Sequence, residues 1–163
     1  MLSIRKTTYL DLIDIDRIYQ CAKLQMKKDG NKNQWSGAYP NSDDTKKDIS
    51  NECSFVILND NRVIGTFAFI IGEEPTYLNI ENGSWKNNKT YGTIHRIASD
   101  GTCKGVFDYV INYLKKYNID IRIDTYKDNK RMLHLIEKNN FSYCGIIYVH
   151  DGSPRMAFQK EAI

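Results

Sequence analysis

The residue best suited to acid–base chemistry is His95, which stands in an otherwise apolar stretch from Tyr91 to Ala98. Imidazole side chains titrate near neutral pH, so a histidine can accept a proton from a nucleophile and return it later. The same pattern also fits a buried structural histidine. Arg96 follows directly and could orient an acidic substrate or pair with a carboxylate. His95 is therefore the first candidate for a general base.

A glycine-bearing turn follows the same stretch, from Ser99 to Val106, and a helical pattern begins after it. The first amides of a helix have no intrahelical acceptor and lie at the positive end of its dipole. Glycine lets a ligand approach the backbone closely, so this turn predicts a site for phosphate or pyrophosphate. A plain strand-to-helix turn is the alternative. The turn matches neither the triphosphate-binding nor the dinucleotide-binding glycine pattern, which disfavours those ligands.

Aromatic and acidic side chains occur in two polar segments without periodicity, residues 32–42 and 72–89. Aromatic residues in loops often contact ligands, and carboxylates attract a cationic amine. Ordinary packing of the aromatics and full solvation of the carboxylates are the alternatives. The candidate contacts to an acceptor are Trp35, Tyr39, Tyr77 and Trp85, with Glu73, Glu74 and Glu81 as nearby carboxylates.

The elements that must position these residues follow from hydrophobic periodicity. Apolar residues recur at steps of three and four from Leu12 to Met26, which predicts a helix, and a short helix is expected from about Ser42 to Ser50. Two apolar, β-branched runs at 55–58 and 63–71 flank a polar turn and predict a hairpin. From Tyr91 onward the pattern reads strand, turn, helix, strand, helix, strand, strand.

In this second half, strands are expected at 119–126, 141–150 and 155–160. Asp128 is expected to cap the helix between the first two of these strands, and that helix would run to about Asn140. A strand–helix–strand unit favours parallel pairing, whereas the earlier hairpin is antiparallel. We therefore expect a mixed sheet with helices on its faces.

The 163 residues are 41% hydrophobic and 26% charged, as in folded globular proteins, and we expect one domain over 1–163. The net charge of +3 is too small to indicate nucleic-acid binding. No apolar run approaches the roughly 18 residues that span a bilayer, and the first residues lack the apolar core of a signal peptide. We expect a cytoplasmic protein with no membrane partner. The four cysteines are scattered singly, which favours packed thiols over a metal site.

Four stretches together resemble the GNAT family of N-acetyltransferases, and in element order the resemblance covers nearly the whole chain. They are residues 93–98, the turn ending at Lys104-Gly105-Val106, residues 128–132 and residues 135–141. The resemblance implies an α/β fold: a mixed, mostly antiparallel central sheet flanked by helices, with a splayed pair of parallel strands. It also implies an acetyl-CoA site and transfer of acetyl to an amine by direct attack.

The resemblance assigns the cofactor contacts residue by residue. The turn of the family usually reads Q/R-x-x-G-x-G/A; here Thr102 replaces the long polar residue, Gly105 keeps the middle glycine, and Phe107 replaces the small residue. Pyrophosphate would bind the amides from Cys103 to Phe107. The pantetheine arm would pair with the preceding strand and touch Asn129, which could instead cap its helix. The implied set is Ile97, Ala98, Ser99, Cys103, Lys104, Gly105, Val106, Phe107 and Asn129.

The family often uses a tyrosine late in the second of these helices to protonate the departing thiolate. Ile136 occupies that position here, so Tyr143 or Tyr126 would have to substitute, if either is more than a packed aromatic. A lysine-like amine costs about 4.6 kcal/mol to deprotonate at pH 7, so a base must help. His95 is the first candidate for that base, and Glu81 is the alternative.

We therefore expect an acetyl-CoA-dependent N-acetyltransferase that acts on the primary amine of a small molecule, as a monomer or homodimer. Two alternatives remain open: a module of the same fold that binds CoA or acyl-CoA without turnover, and an interaction protein whose loop aromatics dock a partner. The residues do not decide between a small molecule and a protein N-terminus as acceptor. Aromatic walls with a few carboxylates favour a small cation with an apolar body.

Overall fold

The structure, a computed structural model, describes residues 1–162. Within this range, the chain forms seven strands and four helices. The strands are β1 (Leu2–Lys6), β2 (Ser54–Asn59), β3 (Arg62–Ile71), β4 (Tyr91–Ser99), β5 (Asp120–Thr125), β6 (Ser142–Tyr148) and β7 (Pro154–Lys160). The helices are α1 (Leu12–Lys28), α2 (Ser42–Ser50), α3 (Val106–Leu114) and α4 (Lys130–Lys138), and 3-10 turns lie at Tyr9–Asp11, Pro75–Tyr77 and Lys115–Tyr117. Among the described residues, no helix combines the length and the apolar character needed to cross a bilayer.

The strands form a sheet in the order β1-β2-β3-β4-β5-β7-β6. Neighbouring strands are antiparallel, with the exception of the parallel pair β4 and β5. This confirms the expected mixed, mostly antiparallel sheet flanked by helices, and β2 and β3 form the predicted hairpin. The parallel pairing covers only Tyr91–Thr93 opposite Asp120–Arg122. The two strands diverge from Ile94 onward, which confirms the predicted splayed pair.

Helices cover both faces of the sheet, which explains why the central strands read as continuous apolar runs. On one face, α3 and α4 pack over a core that includes Phe55 and Ile136. On the other face, Ile15 and Ile18 of α1 pack against Val56. The successive residues Phe55 and Val56 thus serve opposite faces, as the strand pleat requires.

The segment between β3 and β4, residues 72–90, reaches across the sheet to the edge strand β6. The backbones of Glu81 and Ile146 exchange two hydrogen bonds of 2.9 and 2.8 Å. Glycines permit this approach: a Cβ added to Gly83 would lie 2.0 Å from a carbonyl oxygen of β6, and one added to Gly145 would lie 2.5 Å from the Glu81 oxygen. The segment therefore covers part of the sheet instead of extending into solvent.

The predicted boundaries of α4 were wrong at both ends. Asn129, not Asp128, is the capping residue, because its Oδ1 accepts the Met132 N–H at 3.1 Å. The helix ends at Lys138 rather than near Asn140. Asn140 has a left-handed φ of 62°, which the helical backbone cannot accommodate.

Candidate active site

A bulge in β4 opens the sheet beside the parallel pair. Between Thr66 and Ala68, β3 advances by two residues while β4 advances by three. The bulge contains Arg96 with a φ of 50°, a left-handed conformation that costs a non-glycine residue roughly 1–2 kcal/mol. A bulge bends its strand and increases the twist. Beyond Thr93, the side of β4 that faces β5 consequently has no strand partner within residues 1–162.

The splayed strands form part of a cleft of about 720 Å³, a volume typical of small-molecule sites. The other walls come from the α1–α2 connection, α2, the 3-10 turn after β3 and the β6–β7 connection. Trp35, Ile94 and Ile123 are among its apolar residues. Its ionisable residues include Asp48, Glu74, His95, Arg96, Asp124 and Arg155.

His95 and Glu74 form a hydrogen-bonded pair in this cleft. The His95 Nε2 lies 3.1 Å from the Glu74 Oε2, and the two side chains are 19% and 15% exposed. The Thr76 N–H and hydroxyl donate to the other oxygen of Glu74, at 3.2 and 2.9 Å. Donation from Nε2 to Glu74 leaves Nδ1 as the nitrogen that can accept a proton. Nδ1 has no hydrogen bond to any residue from 1 to 162 and is not enclosed.

The same pair makes part of the folding stability depend on pH. The hydrogen bond from His95, helped by the histidine charge and by Thr76, outweighs burial and lowers the pKa of Glu74 to about 2. A lowered folded-state pKa stabilises the fold above the unfolded pKa of about 4.3, and this stabilisation is lost as the pH falls through the folded-state value. Between about pH 5 and pH 2, wild type should therefore lose roughly 2 to 3 kcal/mol more unfolding free energy than Glu74→Gln, as measured by urea denaturation.

Glu73→Gln is the matched control, because Glu73 is the exposed neighbour of Glu74. We expect this variant to keep the pH dependence of wild type. The ion-pair interpretation fails if Glu74→Gln and wild type lose stability in parallel over this pH range.

Asp124 adds a further carboxyl group to the cleft. The Tyr77 hydroxyl donates to the Asp124 Oδ2 at 2.6 Å, and Tyr77 is 2% exposed. Burial raises the pKa of Asp124, although the bond from Tyr77 and the charges of His95 and Arg155 act in the opposite direction. Burial also raises the pKa of Tyr77. Asp124 is thus a carboxyl group of the cleft wall that a buried phenol holds in place.

Arg96 anchors α2 to the bulge. Its Nη2 donates to both carboxylate oxygens of Asp48, at 2.7 and 2.6 Å, and its Nε donates to Oδ2 at 3.1 Å. The side chains of Arg96 and Asp48 are only 14% and 9% exposed. A further bond of 3.2 Å runs from Nη1 to the Tyr39 hydroxyl. The sequence left two roles open for Arg96, to orient an acidic substrate or to pair with a carboxylate of the protein. The structure shows the second, the pair with Asp48.

The turn after β4 offers a run of unpaired amides. The N–H groups of residues 103–108 make no hydrogen bond to another residue of the described chain. Gly105 precedes α3 with a left-handed φ of 75°, and nothing lies within 4 Å of the position its Cβ would take. Adjacent free amides at a helix N-terminus fit an anion such as pyrophosphate.

Asp100 holds this turn in shape. Its Oδ1 accepts hydrogen bonds from the Thr102 N–H and hydroxyl, at 3.0 and 2.6 Å. Its Oδ2 accepts one from the Arg17 Nη1 of α1, at 2.9 Å. Phe107 points away from the turn: it is 4% exposed and packs in the main core, with its ring centroid 6.5 Å from that of Phe141. A large side chain at this position therefore leaves the amides open.

Seven of the residues singled out from the sequence lie in the cleft wall: Trp35, Tyr39, Glu74, His95, Arg96, Ile97 and Asn129. The Asn129 side chain caps α4 with its oxygen, and its Nδ2 donates to the Gln34 Oε1 at 3.0 Å. This bond fastens the α1–α2 connection to the start of α4. The remaining predicted cofactor contacts lie along β4 and in the turn that follows it. The side chain of Ala98 packs against the buried residues of α1. Lys104 and Gly105 are exposed.

Two of the predicted acceptor contacts and two of the predicted catalytic residues do not line the cleft. Tyr77 and Trp85 stack with ring centroids 5.0 Å apart in a buried cluster, and the Trp85 Nε1 donates to the Tyr77 carbonyl at 2.9 Å. Glu81 accepts a hydrogen bond of 2.9 Å from the Tyr148 hydroxyl at the β6 edge. Tyr143 packs edge-on against a phenylalanine of β7, at 5.6 Å. The cause is the path of residues 72–90, which carries the middle of the segment over the sheet and away from His95.

Three charged residues of the cleft were not identified from the sequence, and the role of a fourth was incomplete. Glu74 was named only as one of three loop carboxylates, with nothing to link it to His95. Asp124 was not named, because β5 alternates charged and apolar residues and gives no local signal that separates Asp124 from Asp120. Asp48 and Arg155 lie in polar surroundings of the sequence, where no local pattern distinguishes them.

The fold matches a GNAT-family acetyltransferase from Streptococcus agalactiae 2603 with a TM-score of 0.90 and 30% identity, over 98% of this chain and 95% of that one. A GNAT-family acetyltransferase from Listeria monocytogenes 4b F2365 matches with a TM-score of 0.70 and 14% identity, over 98% and 94%. The ribosomal-protein-S18-alanine N-acetyltransferase of Escherichia coli matches with a TM-score of 0.63 and 14% identity, over 99% of this chain and 94% of that one. The last two likenesses concern the fold alone.

No protein-family model matches the sequence, and no curated protein matches it at a significant level. The chain is nevertheless an α/β protein with a cleft beside a splayed pair of parallel strands. At 30% identity to the streptococcal protein over nearly its full length, the chain belongs to the GNAT family of acetyltransferases.

Proposed function

We propose that the protein transfers the acetyl group of acetyl-CoA to the primary amine of a small molecule by direct attack. The observation that carries this proposal is the His95–Glu74 pair, which lines the cleft beside the point where β4 and β5 diverge. The pair supplies a base in the cleft where the unpaired β4 backbone could hold an acyl donor. Membership of the GNAT family supports the same chemistry.

The residues present fit acetyl-CoA. The six free amides of residues 103–108 would hold the pyrophosphate, and the open position beside Gly105 gives it access. The backbone of Ile97 and Ser99, unpaired on the β5 side, would receive the pantetheine arm, with Asn129 on the opposite wall. When bound, acetyl-CoA supplies a thioester carbonyl, and the β4 amides could polarise it.

His95 would take the proton that the amine must lose. The Glu74 carboxylate orients the ring and stabilises the imidazolium that forms, as a carboxylate commonly does for a catalytic histidine. His95 then holds the proton that the departing thiolate needs. Ile136, at the position where the family often has a tyrosine, is fully buried in the core, and Tyr143 lies outside the cleft. His95 could therefore serve in both proton transfers.

Acceptor contacts would come from Trp35 and Tyr39. Trp35 lies in the cleft wall with its ring edge-on to Tyr19, at 5.9 Å. Tyr39 is fixed through its hydroxyl by Arg96 and remains 46% exposed. Tyr77 and Trp85 are no longer included, because both are held in the cluster beneath residues 72–90.

The direct test is thiol release from acetyl-CoA with a panel of small primary amines, together with equilibrium binding of acetyl-CoA. We expect micromolar-range binding and amine-dependent release. Binding without release across the panel would favour the non-catalytic alternative, which no feature of the cleft favours at present. Absence of binding would overturn the proposal.

Gly105→Val should weaken CoA binding by at least about tenfold. A β-branched residue at a φ of 75° is strained, and its methyl groups would occupy the space beside the amides. Gly30→Val is the matched control, because Gly30 has a φ of 82°, equally open surroundings and a position at the end of α1. Calorimetric CoA titration of both folded variants measures the effect. Unchanged CoA affinity in Gly105→Val would remove the pyrophosphate from this turn.

A further inference from the structure

The charges of the cleft are unequally partnered. Asp48 is paired with Arg96, Glu74 with His95, and Asp124 accepts the Tyr77 hydroxyl. These three carboxyl groups are therefore already engaged by groups of the protein.

Arg155, at the start of β7, is engaged differently. Its Nη1 donates to the Ser153 hydroxyl at 2.9 Å and to the Pro154 carbonyl at 3.3 Å. Its guanidinium carbon lies 5.1 Å from the ring centroid of Tyr126. It makes no ion pair with a carboxylate anywhere in residues 1–162, and its Nε and Nη2 have no hydrogen-bond acceptor there.

Arg155 belongs to the cleft that contains His95. It lines the cleft wall and is half-buried. Asp124 lies near both residues, because the charges of His95 and of Arg155 each act to lower the pKa of its carboxyl group. A guanidinium with two unused donors, held by Ser153 and Tyr126, is preorganised for an anion with two oxygens.

We infer that the acceptor is a small zwitterion of the amino-acid class, with its carboxylate on the free edge of Arg155 and its amine beside His95. This inference rests on the proposed acetyl transfer and specifies its substrate. It differs from the cation with an apolar body that the loop composition suggested. The three carboxyl groups named above already accept hydrogen bonds from protein side chains, whereas two nitrogens of the Arg155 guanidinium have no acceptor within residues 1–162. The apolar wall of Trp35 and Ile123 would then contact the side chain of the acceptor.

The test compares each amino acid with its own carboxamide, which keeps the amine and the side chain and loses the negative charge. We expect wild type to acetylate at least one amino acid with a kcat/KM about ten- to a hundredfold above that of its amide, the worth of a charged, two-point hydrogen bond. The amine of an amide is the easier one to deprotonate, so this preference would oppose intrinsic reactivity.

Arg155→Gln should raise the KM for the amino acid by a similar factor, leave the amide unaffected and leave the KM for acetyl-CoA unchanged. Arg155→Lys should retain part of the preference for the acid over the amide, since lysine keeps the positive charge but lacks the paired N–H donors of the guanidinium. Arg131→Gln is the control, because Arg131 pairs with Asp29 on the surface and lies outside the cleft. Thermal unfolding of each variant confirms that it is folded.

The outcomes separate the two proposals. Acetylation of amines with equal use of acids and amides overturns the zwitterion inference and leaves acetyl transfer standing. An equal loss for acid and amide in both Arg155 variants, or a raised KM for acetyl-CoA, also overturns it. If no amine of any kind is acetylated, it is the proposed function that has failed.

Discussion

Replacement of His95 by glutamine should lower kcat for acetyl transfer by about two to four orders of magnitude, while the affinity for acetyl-CoA stays at the wild-type value. Glutamine can still donate a hydrogen bond to Glu74, so the local packing is largely preserved. It cannot carry the proton that the amine loses. The measurement is steady-state thiol release at a pH below the pKa of the amine, with equilibrium binding of acetyl-CoA in parallel.

His134→Gln provides the matched control, because His134 is exposed on α4 and lies outside the cleft. We expect wild-type turnover from it. A wild-type rate in His95→Gln would assign proton removal to water or to another cleft group such as Asp124. A loss of acetyl-CoA affinity equal to the loss of rate would make His95 a binding residue instead.

Glu74 should behave as a positioning residue. Glu74→Gln keeps a hydrogen-bond acceptor for the imidazole but removes its counter-charge, so we expect a smaller loss of kcat than for His95→Gln. Glu74→Asp keeps the carboxylate and should therefore recover part of the lost kcat. A purely structural role for Glu74 would give the shorter Glu74→Asp side chain no advantage over Glu74→Gln.

The second large effect concerns stability. Asp48→Ala should reduce the free energy of unfolding by about 3 to 5 kcal/mol, because it leaves the Arg96 guanidinium buried without its partner. This is a large share of the roughly 5–15 kcal/mol that stabilises an ordinary domain. Arg96 lies in the strained bulge of β4 and its ion pair attaches α2 there, so the cleft wall should loosen as well. Urea denaturation followed by circular dichroism measures the change.

Asp29→Ala tests whether burial is the cause. Asp29 also pairs with an arginine, Arg131, at 3.0 Å, but the two side chains are 31% and 63% exposed. Removing one partner of such an exposed pair should cost no more than about 1 kcal/mol. Equal losses in Asp48→Ala and Asp29→Ala would show that enclosure of the Arg96 pair contributes nothing.

Much of the fold was accessible from the sequence because the signals are local. The three-and-four spacing in α1, the apolar runs of β2 and β3, and the strand–turn–helix at Gly105 each occupy fewer than about twenty consecutive residues. The amide run at 103–108 is predictable for the same reason, since it depends on a short stretch of backbone. The resemblance of residues 128–141 and their neighbours to a known family then predicted that a pair of parallel strands diverges, which the pairing of β4 and β5 confirms.

The ends of elements were less accessible. Asp128 and Asn129 are both good capping residues, and only the backbone path shows that Asn129 reaches the helix amides. The loop aromatics show the same limitation. Nothing in the composition of residues 32–42 and 72–89 indicates that Trp35 lines the cleft while Trp85 packs under its own loop.

The sequence by itself determined the order of the elements, the family resemblance, the phosphate-type turn and His95 as the candidate base. The tertiary structure alone decided the partners: Glu74 reaches His95 across 21 positions of the chain, and Asp48 reaches Arg96 across 48. Within residues 1–162 it also gave Arg155 no carboxylate partner, and it placed Tyr77, Glu81 and Trp85 outside the cleft wall. Periodicity reports which face of an element is buried, because that depends on near neighbours in the chain. Which charges meet depends on where a loop without periodicity crosses the sheet, and that is fixed by packing between residues far apart in sequence.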